Sequence, residues 1–577
     1  MNNYTQSLPI NKDNSLLAKH SKLLSQLLVN RNLENLDDAH NFLHPKYDDN
    51  HDPLLLQGME KGIERFYKAI KNNERITIYA DYDADGIPGS VIIATLLDKI
   101  KHKNYDVYLP HRHDEGYGIH IPALKKIKKS GSTLIITIDV GITAHSAADW
   151  CNENDIDLLI TDHHLPLHNE DGSQNLPKPF LLINPKQDSC EYPDPMICGC
   201  GVMFKFIQAF IGKHAEEFSI HSGWEKWLLD MVGISTISDL VPLQNENRIF
   251  AKYGMQVIKK TKRPGLKKLI WDAGIAVNYL SAEDVAFGIT PKINAASRMS
   301  HPKDAFDTFM SKNDLEATTN VKHLVKLNNE RKKLVTQTMK KAYKKMEGRE
   351  IKNIIVIGSP DWQAGILGLV ASKLVEKYHV PAFVWSEEHG EIKGSCRTWN
   401  GHHLVNIMSS AEEGSLIGFG GHAEAAGFSC NKNEIHFLEE RLDTAFSKVS
   451  KKTGERKTES KNIDAELLID DVTIKTIKDI GQLAPFGMGN EKPLFIFKDL
   501  VPEHVGQFGK TKEHLDIWFK NSKGDKVRAI TFFKTPEDYS CIPTEQKPCN
   551  MIGHIEHSVF MGKHEVRIKI VDIISEI

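Results

Sequence analysis

The chain is poor in three features that would otherwise classify it. No apolar stretch in its 577 residues approaches the length a membrane-spanning helix needs, and the Met1-Asn2-Asn3-Tyr4-Thr5 start has no basic region followed by an apolar one. A soluble, cytoplasmic protein without a membrane partner is therefore expected. Cysteines number only eight, scattered from Cys151 to Cys549, which excludes a disulfide framework and suits a reducing compartment. Cys198-Gly199-Cys200, with Cys190 upstream, has no second pair or His-x-x-x-His at finger spacing, so zinc is not expected. Neither sign of charge dominates: 73 Lys and Arg against 76 Asp and Glu leave a net charge of −3, and local charge has to reveal any polyanion partner. The length exceeds what one core can organise, and roughly three or four domains are expected.

What the chain does have is Asp81-Tyr82-Asp83-Ala84-Asp85-Gly86, three carboxylates on alternate residues after the apolar run Ile76-Thr77-Ile78. The run reads as a buried strand that Gly86 and Pro88-Gly89 break, with a helix following from Ser90 to Lys99, so the acids fall at the strand's carboxyl end. Carboxylates this close repel one another unless cations join them, and an oxygen-rich cluster suits magnesium or manganese. The design recurs. Thr133 to Ile138 is an apolar run without alternation that ends at Asp139, and Asp157 to Thr161 ends at Asp162-His163-His164. Strand alternating with helix predicts a doubly wound sheet. Past a helical segment over 224–231, Asp239-Leu240-Val241-Pro242-Leu243 places another carboxylate before a turn. Singly, Asp139 could be a helix cap, His163 a hydrogen-bonded core histidine and Asp239 a turn residue. Jointly they form an acid and histidine constellation for two divalent cations, and the chemistry this serves is phosphodiester hydrolysis.

With Arg112, Glu115-Gly116-Tyr117-Gly118 and Asp139-Val140-Gly141-Ile142 added, the series resembles the DHH phosphoesterase superfamily, and within it the RecJ family. Thr290 to Met299 is similar to a further segment of that family, which usually has Gly, Arg and Gly where this chain has Thr290, Lys292 and Ser297. Lysine keeps the cation but loses the bidentate fork of arginine. The resemblance covers nearly the whole chain. It implies Asp81, Asp83, Asp85, Asp139, His163 and Asp239 as metal ligands, with Asp162 and His164 completing the catalytic set. It further implies a pocket for a 5′-terminal phosphate made by Arg112, Arg298, Ser395 and Arg397, with His422 also touching substrate.

The rest of the chain fits the same plan. Residues 1–50 read as a polar, partly helical lead-in without chemistry, and 51–312 as the catalytic α/β domain. A long helix within 313–350 joins it to a smaller α/β domain over 351–450, where Gly420-Gly421-His422 and Ser395-Cys396-Arg397 resemble the DHH-associated, substrate-binding domain. The lysines and arginines of that helix read as a solvated face. Gln363-Ala364 and Thr398 depart from the family, which has His-Pro and Ser there. A charged linker over 451–462 precedes an OB-like β-barrel over 463–577, in which Phe508, Trp518, Phe519, Phe532 and Phe533 lie among Lys510, Lys512, Lys520 and Arg528. That mixture stacks bases and tracks phosphates, although alternation turns about half of the aromatics into the core. The resulting expectation is a monomeric, metal-dependent exonuclease of DNA repair and recombination, with manganese or magnesium as cofactor. The resemblance implies a 5′ to 3′ direction on single-stranded DNA, mononucleotide products, and single-strand-binding protein and a RecQ-type helicase as partners. The alternatives are an oligonucleotide or cyclic-dinucleotide phosphodiesterase, and a catalytically silent replisome scaffold.

Overall fold

The computed structural model describes residues 4–388, 390–453, 460–510, 512–560 and 563–575. No described helix is long and apolar enough to cross a membrane, and all eight cysteines are free.

The catalytic domain is built on five parallel strands in the order β2-β1-β3-β4-β5, with β1 Arg75–Ala80, β2 Tyr105–Tyr108, β3 Ser132–Ile138, β4 Asp157–Thr161 and β5 Leu181–Ile183. Isoleucine and leucine runs cover both faces, as buried parallel strands require. On one face α1 (Met59–Lys71), α2 (Gly86–Lys99) and α5 (Gly199–His214) share the main core. On the other, α3 (Ile121–Lys129) and α4 (His145–Glu153) close a second cluster through Leu124, Ile127, Ala147 and Ala148. Ala80, Ile138, Thr161 and Ile183 lie side by side in register. The ladder runs one residue further: the amides of Asp81, Asp139 and Asp162 donate to the carbonyls of Ile138, Thr161 and Ile183 at 3.0–3.1 Å. The strands therefore end in one row, and the next residues along it are Asp81, Asp139, Asp162 and Asn184.

Helices α6 (Leu229–Ser238), α7 (Asn245–Lys259) and α8 (Thr290–Met299) also belong to this domain. The connecting helix α9 runs from Asp314 to Met346. Its first half buries Val321, Leu324 and Leu327 in the catalytic core, and its second half buries Val335, Met339, Ala342 and Met346 in the core of the next domain. The two lobes thus share one rod. The second domain carries β6 (Ile355–Gly358), α10 (Ala364–Tyr378), β7 (Ala382–Glu388), β8 (Glu391–Arg397), β9 (Gly418–Gly421) and β10 (Ala425–Cys430), with sheet order β9-β10-β8-β7-β6.

The C-terminal region is a seven-stranded mixed sheet of order β11-β12-β16-β17-β15-β14-β13. Its strands are β11 Ala465–Glu466, β12 Phe495–Leu500, β13 His504–Phe508, β14 His514–Lys520, β15 Lys526–Phe532, β16 Cys549–Phe560 and β17 Lys563–Ile574. Pairing is antiparallel except for β11 with β12 and β15 with β17. The N-terminal residues, read above as a lead-in, enter this core. Leu16, Leu24, Leu27, Leu28 and Leu43 bury against Phe495, Phe497 and Leu483, and Tyr4–Gln6 pairs in parallel with Lys461–Ile463. Of the stretch read as a linker, 454–459 lies outside the described residues.

Candidate metal centre and phosphate pocket

The acids after β1 are fixed by a turn that only glycine permits, because a Cβ on Gly86 would stand 2.4 Å from the Asp81 carbonyl oxygen. Asp83 accepts the amides of Asp85 at 2.8 Å and Gly86 at 3.1 Å, capping the start of α2. Asp85 is held from elsewhere. It accepts the amides of Gly199 (2.6 Å) and Cys200 (2.7 Å) at the N-terminus of α5, and the Ser235 hydroxyl on α6 donates to it as well. The Cys198-Gly199-Cys200 stretch thus positions an acid; Cys198 Sγ lies 3.1 Å from Ser235 Oγ, and no metal-ligand group among the described residues includes a cysteine. Asp139 sits at a φ of +61°, a left-handed conformation that costs a non-glycine residue about 1–3 kcal/mol. It also lies so close to α5 that a Cβ on Gly199 would approach its own Cβ to 2.6 Å.

Around His163 the groups converge. Its Nε2 lies 3.2 Å from Asp139 Oδ1, 3.6 Å from Asp85 Oδ2 and 3.6 Å from Asp239 Oδ2, the last delivered by the C-terminal end of α6. Burial holds the His163 imidazole down at about 4 despite Asp85, so it is neutral near pH 7 and offers a lone pair. Its Nε2, Asp139 Oδ1 and Asp81 Oδ1 are buried without any hydrogen-bond partner. Burial, reinforced by Asp83, pushes Asp81 up to about 8; burial with Asp85 raises both Asp139 and Asp239 well above the carboxylate range. Left alone, this cluster resists its own ionisation, and divalent cations relieve both burial and repulsion. Three overlapping sets bring their ligand atoms within 4.8 Å of one another: Asp81, Asp83 and Asp139; Asp85, His163 and Asp239; Asp139, His163 and His164. Oxygen donors completed by neutral imidazole fit manganese or magnesium.

Asp162 stands apart in role. Both its oxygens are occupied, by the amides of Ile142, His163 and His164 and by His164 Nδ1 at 2.8 Å. Burial alone would raise it, but His164 overrides burial and holds it at about 2. Reciprocally, Asp162 lifts His164 to about 9 against the effect of burial. Asp162 therefore orients His164, whose ring stacks on His422 of the second lobe at 5.4 Å and 10°.

A second cluster carries the opposite charge. Arg112, in the loop after β2, lies over the Tyr82 ring at 4.2 Å, between the acids Asp81 and Asp83 in sequence. Arg298 at the end of α8 is lowered to about 9, first by burial and then by Arg112, Arg397 and Arg331. Its guanidinium donates to the Gly365 carbonyl at the start of α10 at 3.0 Å. Arg397 on β8 packs against α10, where a Cβ on Gly368 would meet its guanidinium at 2.9 Å. Ser395 stands two residues before Arg397 on β8 and so shares its face of the strand. The structure thus gathers Arg112, Arg298 and Arg397, and places His422 with His164 instead. Arg331, midway along α9, joins the arginines; helical periodicity gave its face no such signal. Its Nε and that of Arg112 are buried without partners, and among the described residues none of the four arginines has an ion pair. Lys292 is 8 % exposed and its ammonium donates to the Gly288 carbonyl at 2.7 Å, which leaves it outside the cluster.

On the C-terminal sheet alternation sorts the aromatics. Phe519 is 1 % exposed and part of the core, whereas Phe532 and Phe533 are 45 % and 79 % exposed. Phe508, His514 and Phe532 lie edge to face at 5.1–5.9 Å, and Arg528 lies over Trp518 at 5.4 Å. Arg528 is also held bidentately by Asp516 at 2.7 and 3.1 Å.

Fold and site together define a phosphoesterase of the two-lobed DHH kind. The model of the DHH family N-terminal domain matches residues 75–235, that of the DHHA1 domain 340–455, and that of the RecJ OB domain 463–572. The single-stranded-DNA-specific exonuclease RecJ of Bacillus subtilis is 33% identical over 553 residues, covering 95% of this chain and 67% of that protein. The crystal structure of RecJ from Thermus thermophilus in complex with Mn2+ superposes with a TM-score of 0.80 at 22% identity, over 100% of this chain and 80% of that one. A manganese-bound exonuclease RecJ matches with a TM-score of 0.58 at 28% identity, over 68% and 95% of the two chains. The chain belongs to the RecJ family.

Proposed function

We propose that this protein is a metal-dependent exonuclease that hydrolyses single-stranded DNA from its 5′ end and releases mononucleotides. The observation that carries the reading is Tyr82: it stands between two acids of the metal cluster and bears Arg112 of the phosphate pocket on its ring at 4.2 Å. An anion-binding site one side chain from a hydrolytic centre measures a short, fixed distance from a strand end. The relatives named exonucleases and the outward aromatics of the C-terminal sheet support the same substrate.

Asp81, Asp83, Asp85, Asp139, His163 and Asp239 would hold two divalent cations, manganese or magnesium. Such ions, when bound, lower the pKa of water and neutralise charge on the leaving oxygen. The chain's own residues do the remainder. Arg112, Arg298 and Arg397 share the oxygens of the terminal phosphate, with the Ser395 hydroxyl donating beside them. Asp162 keeps His164 cationic, and its stack with His422 lets the two lobes close on the same phosphate. The free cysteines support a cytoplasmic setting. We extend the reading to a monomer that takes its strands from single-strand-binding protein and a RecQ-type helicase.

The test is incubation with single-stranded DNA labelled at either end, with manganese and with a chelator. Mononucleotides released first from the 5′ label, and only with metal, are expected. Release from the 3′ end, or cleavage that survives chelation, overturns the reading.

A further inference from the structure

Arg112 and His113 are neighbours in the loop after β2, but their side chains diverge. Arg112 lies over the Tyr82 ring beside the acids, whereas His113 turns toward the end of α8 and the second lobe. The loop that carries them is braced: the Tyr108 hydroxyl donates to one Glu115 oxygen, and the other accepts the His111 amide at 2.7 Å. The Glu115 amide donates back to the His111 carbonyl at 2.9 Å. One short, closed loop thus presents a guanidinium and an imidazole in a fixed relation.

The imidazole ends on Arg298. His113 Nε2 lies 3.1 Å from the Arg298 carbonyl oxygen, and because a carbonyl only accepts, that nitrogen carries the proton. Arg298 stands in the last turn of α8, where carbonyls have no partner within the helix, and the residue four places on is Pro302, which has no amide hydrogen. His113 therefore supplies the donor that the helix itself lacks there. Gly365 at the start of α10 closes the arrangement from the second lobe. A Cβ on it would stand 2.5 Å from the same carbonyl oxygen and 2.8 Å from Cε1 of the His113 ring, so only glycine lets the lobes approach this closely. The Gly365 carbonyl in turn accepts the Arg298 guanidinium at 3.0 Å. Backbone and side chain of Arg298 are thus both held, one by His113 and the other by Gly365, and three elements from two lobes meet at one residue.

We propose that His113 is a positioning residue of the phosphate pocket: by holding the Arg298 carbonyl, it sets the Arg298 guanidinium in a fixed place relative to Arg112 and to the second lobe. This rests on the exonuclease reading above. A guanidinium offers its N–H donors in a rigid fork, and one of those of Arg298 is taken by Gly365. The others meet a phosphate only if the helix end is correctly placed, since a displacement of about 1 Å in a positioning group can cost about a hundredfold. His113 acts through Arg298 rather than on the reacting atoms, so its effect falls on recognition of the strand end.

The experiment measures kcat and KM of wild type, His113→Ala, His113→Gln and His113→Asn on one single strand carrying either a 5′-phosphate or a 5′-hydroxyl, at saturating manganese. His113→Ala should lower the kcat/KM preference for the phosphorylated end about tenfold, mainly through a raised KM on that strand. Glutamine places its amide nitrogen where Nε2 stands and should keep most of the preference; asparagine places it where Nδ1 stands and should lose it. In an Arg298→Ala background, His113→Ala should change the preference no further, because the residue it acts through is gone. An equal loss on both strands, or a loss that adds in full to that of Arg298→Ala, would overturn the assignment. Should the alanine variant fail to fold, the two amides decide: a preference kept by glutamine and lost by asparagine supports the contact, and like behaviour of the two contradicts it. Wild-type activity without any preference for the phosphate removes the pocket and this assignment with it, whereas wild-type protein inert on both strands sinks the exonuclease reading itself.

Discussion

The acid cluster and the arginine cluster are both like-charged, largely buried and short of partners, but they are assembled in different ways. The acids come from one sheet edge and one helix end of a single domain: Asp81, Asp139 and Asp162 occupy adjacent places in a row, and Asp239 closes it from α6. The arginines come from a loop, two helices and a strand in two lobes, and they meet only because α9 holds both cores in one register. On the function proposed above, metal chemistry is a property of one domain, whereas recognition of a strand end belongs to the interface. Damage to the first should abolish hydrolysis; damage to the second should change which ends are used.

The largest expected effect breaks the acid side. Asp83→Ala or Asp139→Ala should lower hydrolysis roughly a thousandfold or more while strand binding and the fold persist, because each change also removes one of several crowded like charges. Near-normal rates at saturating manganese would refute the two-cation assignment. On the other side of the comparison, Arg397→Ala should lose about 10- to 100-fold of the preference for 5′-phosphorylated over 5′-hydroxyl strands and leave manganese binding intact. A preference as strong as wild type would remove Arg397 from the pocket. Trp518→Ala and Phe533→Ala, on the C-terminal sheet, should each weaken affinity for long strands by about 1–3 kcal/mol while cleavage of very short ones stays the same. Equal losses on both lengths would deny that sheet a binding role.

The smallest effect concerns stability. Asp81 is held near 8 in the folded protein, above its ordinary value, so its contribution is complete below about pH 4 and is lost as pH rises through about 8. Metal-free protein should melt lower at pH 8 than at pH 6. Saturating manganese should remove that slope and raise the midpoint by several degrees, at about 2–4 °C per kcal/mol. A metal-free midpoint that rises from pH 6 to pH 8 would contradict the cluster's electrostatics.

The same contrast explains what could be read in the linear sequence. Asp81, Asp83, Asp139 and His163 were legible because each follows an apolar run, and strand ends in a parallel sheet share an edge. Arg112, Arg298 and Arg397 were legible through family motifs alone. Arg331 was not: it looks like part of a solvated helical face. Ser235 and the amides of Gly199 and Cys200 reach Asp85 from more than a hundred positions away, a pairing no local pattern encodes. The first fifty residues read only as a polar, partly helical lead-in, and the apolar faces of its two helices, Lys22–Val29 and Leu36–Leu43, gave no hint of where they dock.

That docking has a consequence in time. Asn30 donates to Asp464, 434 positions later, and the leucines around it bury against strands that follow. At about 5–20 residues per second on the ribosome, the first two helices wait roughly twenty seconds to a minute and a half for the surface that covers them. Both catalytic lobes can form meanwhile, as an insert between the two halves of a third core. A nascent chain is thus able to build its hydrolytic centre before its ends have met, and during that interval the exposed leucines at its front are a target for chaperones and proteases.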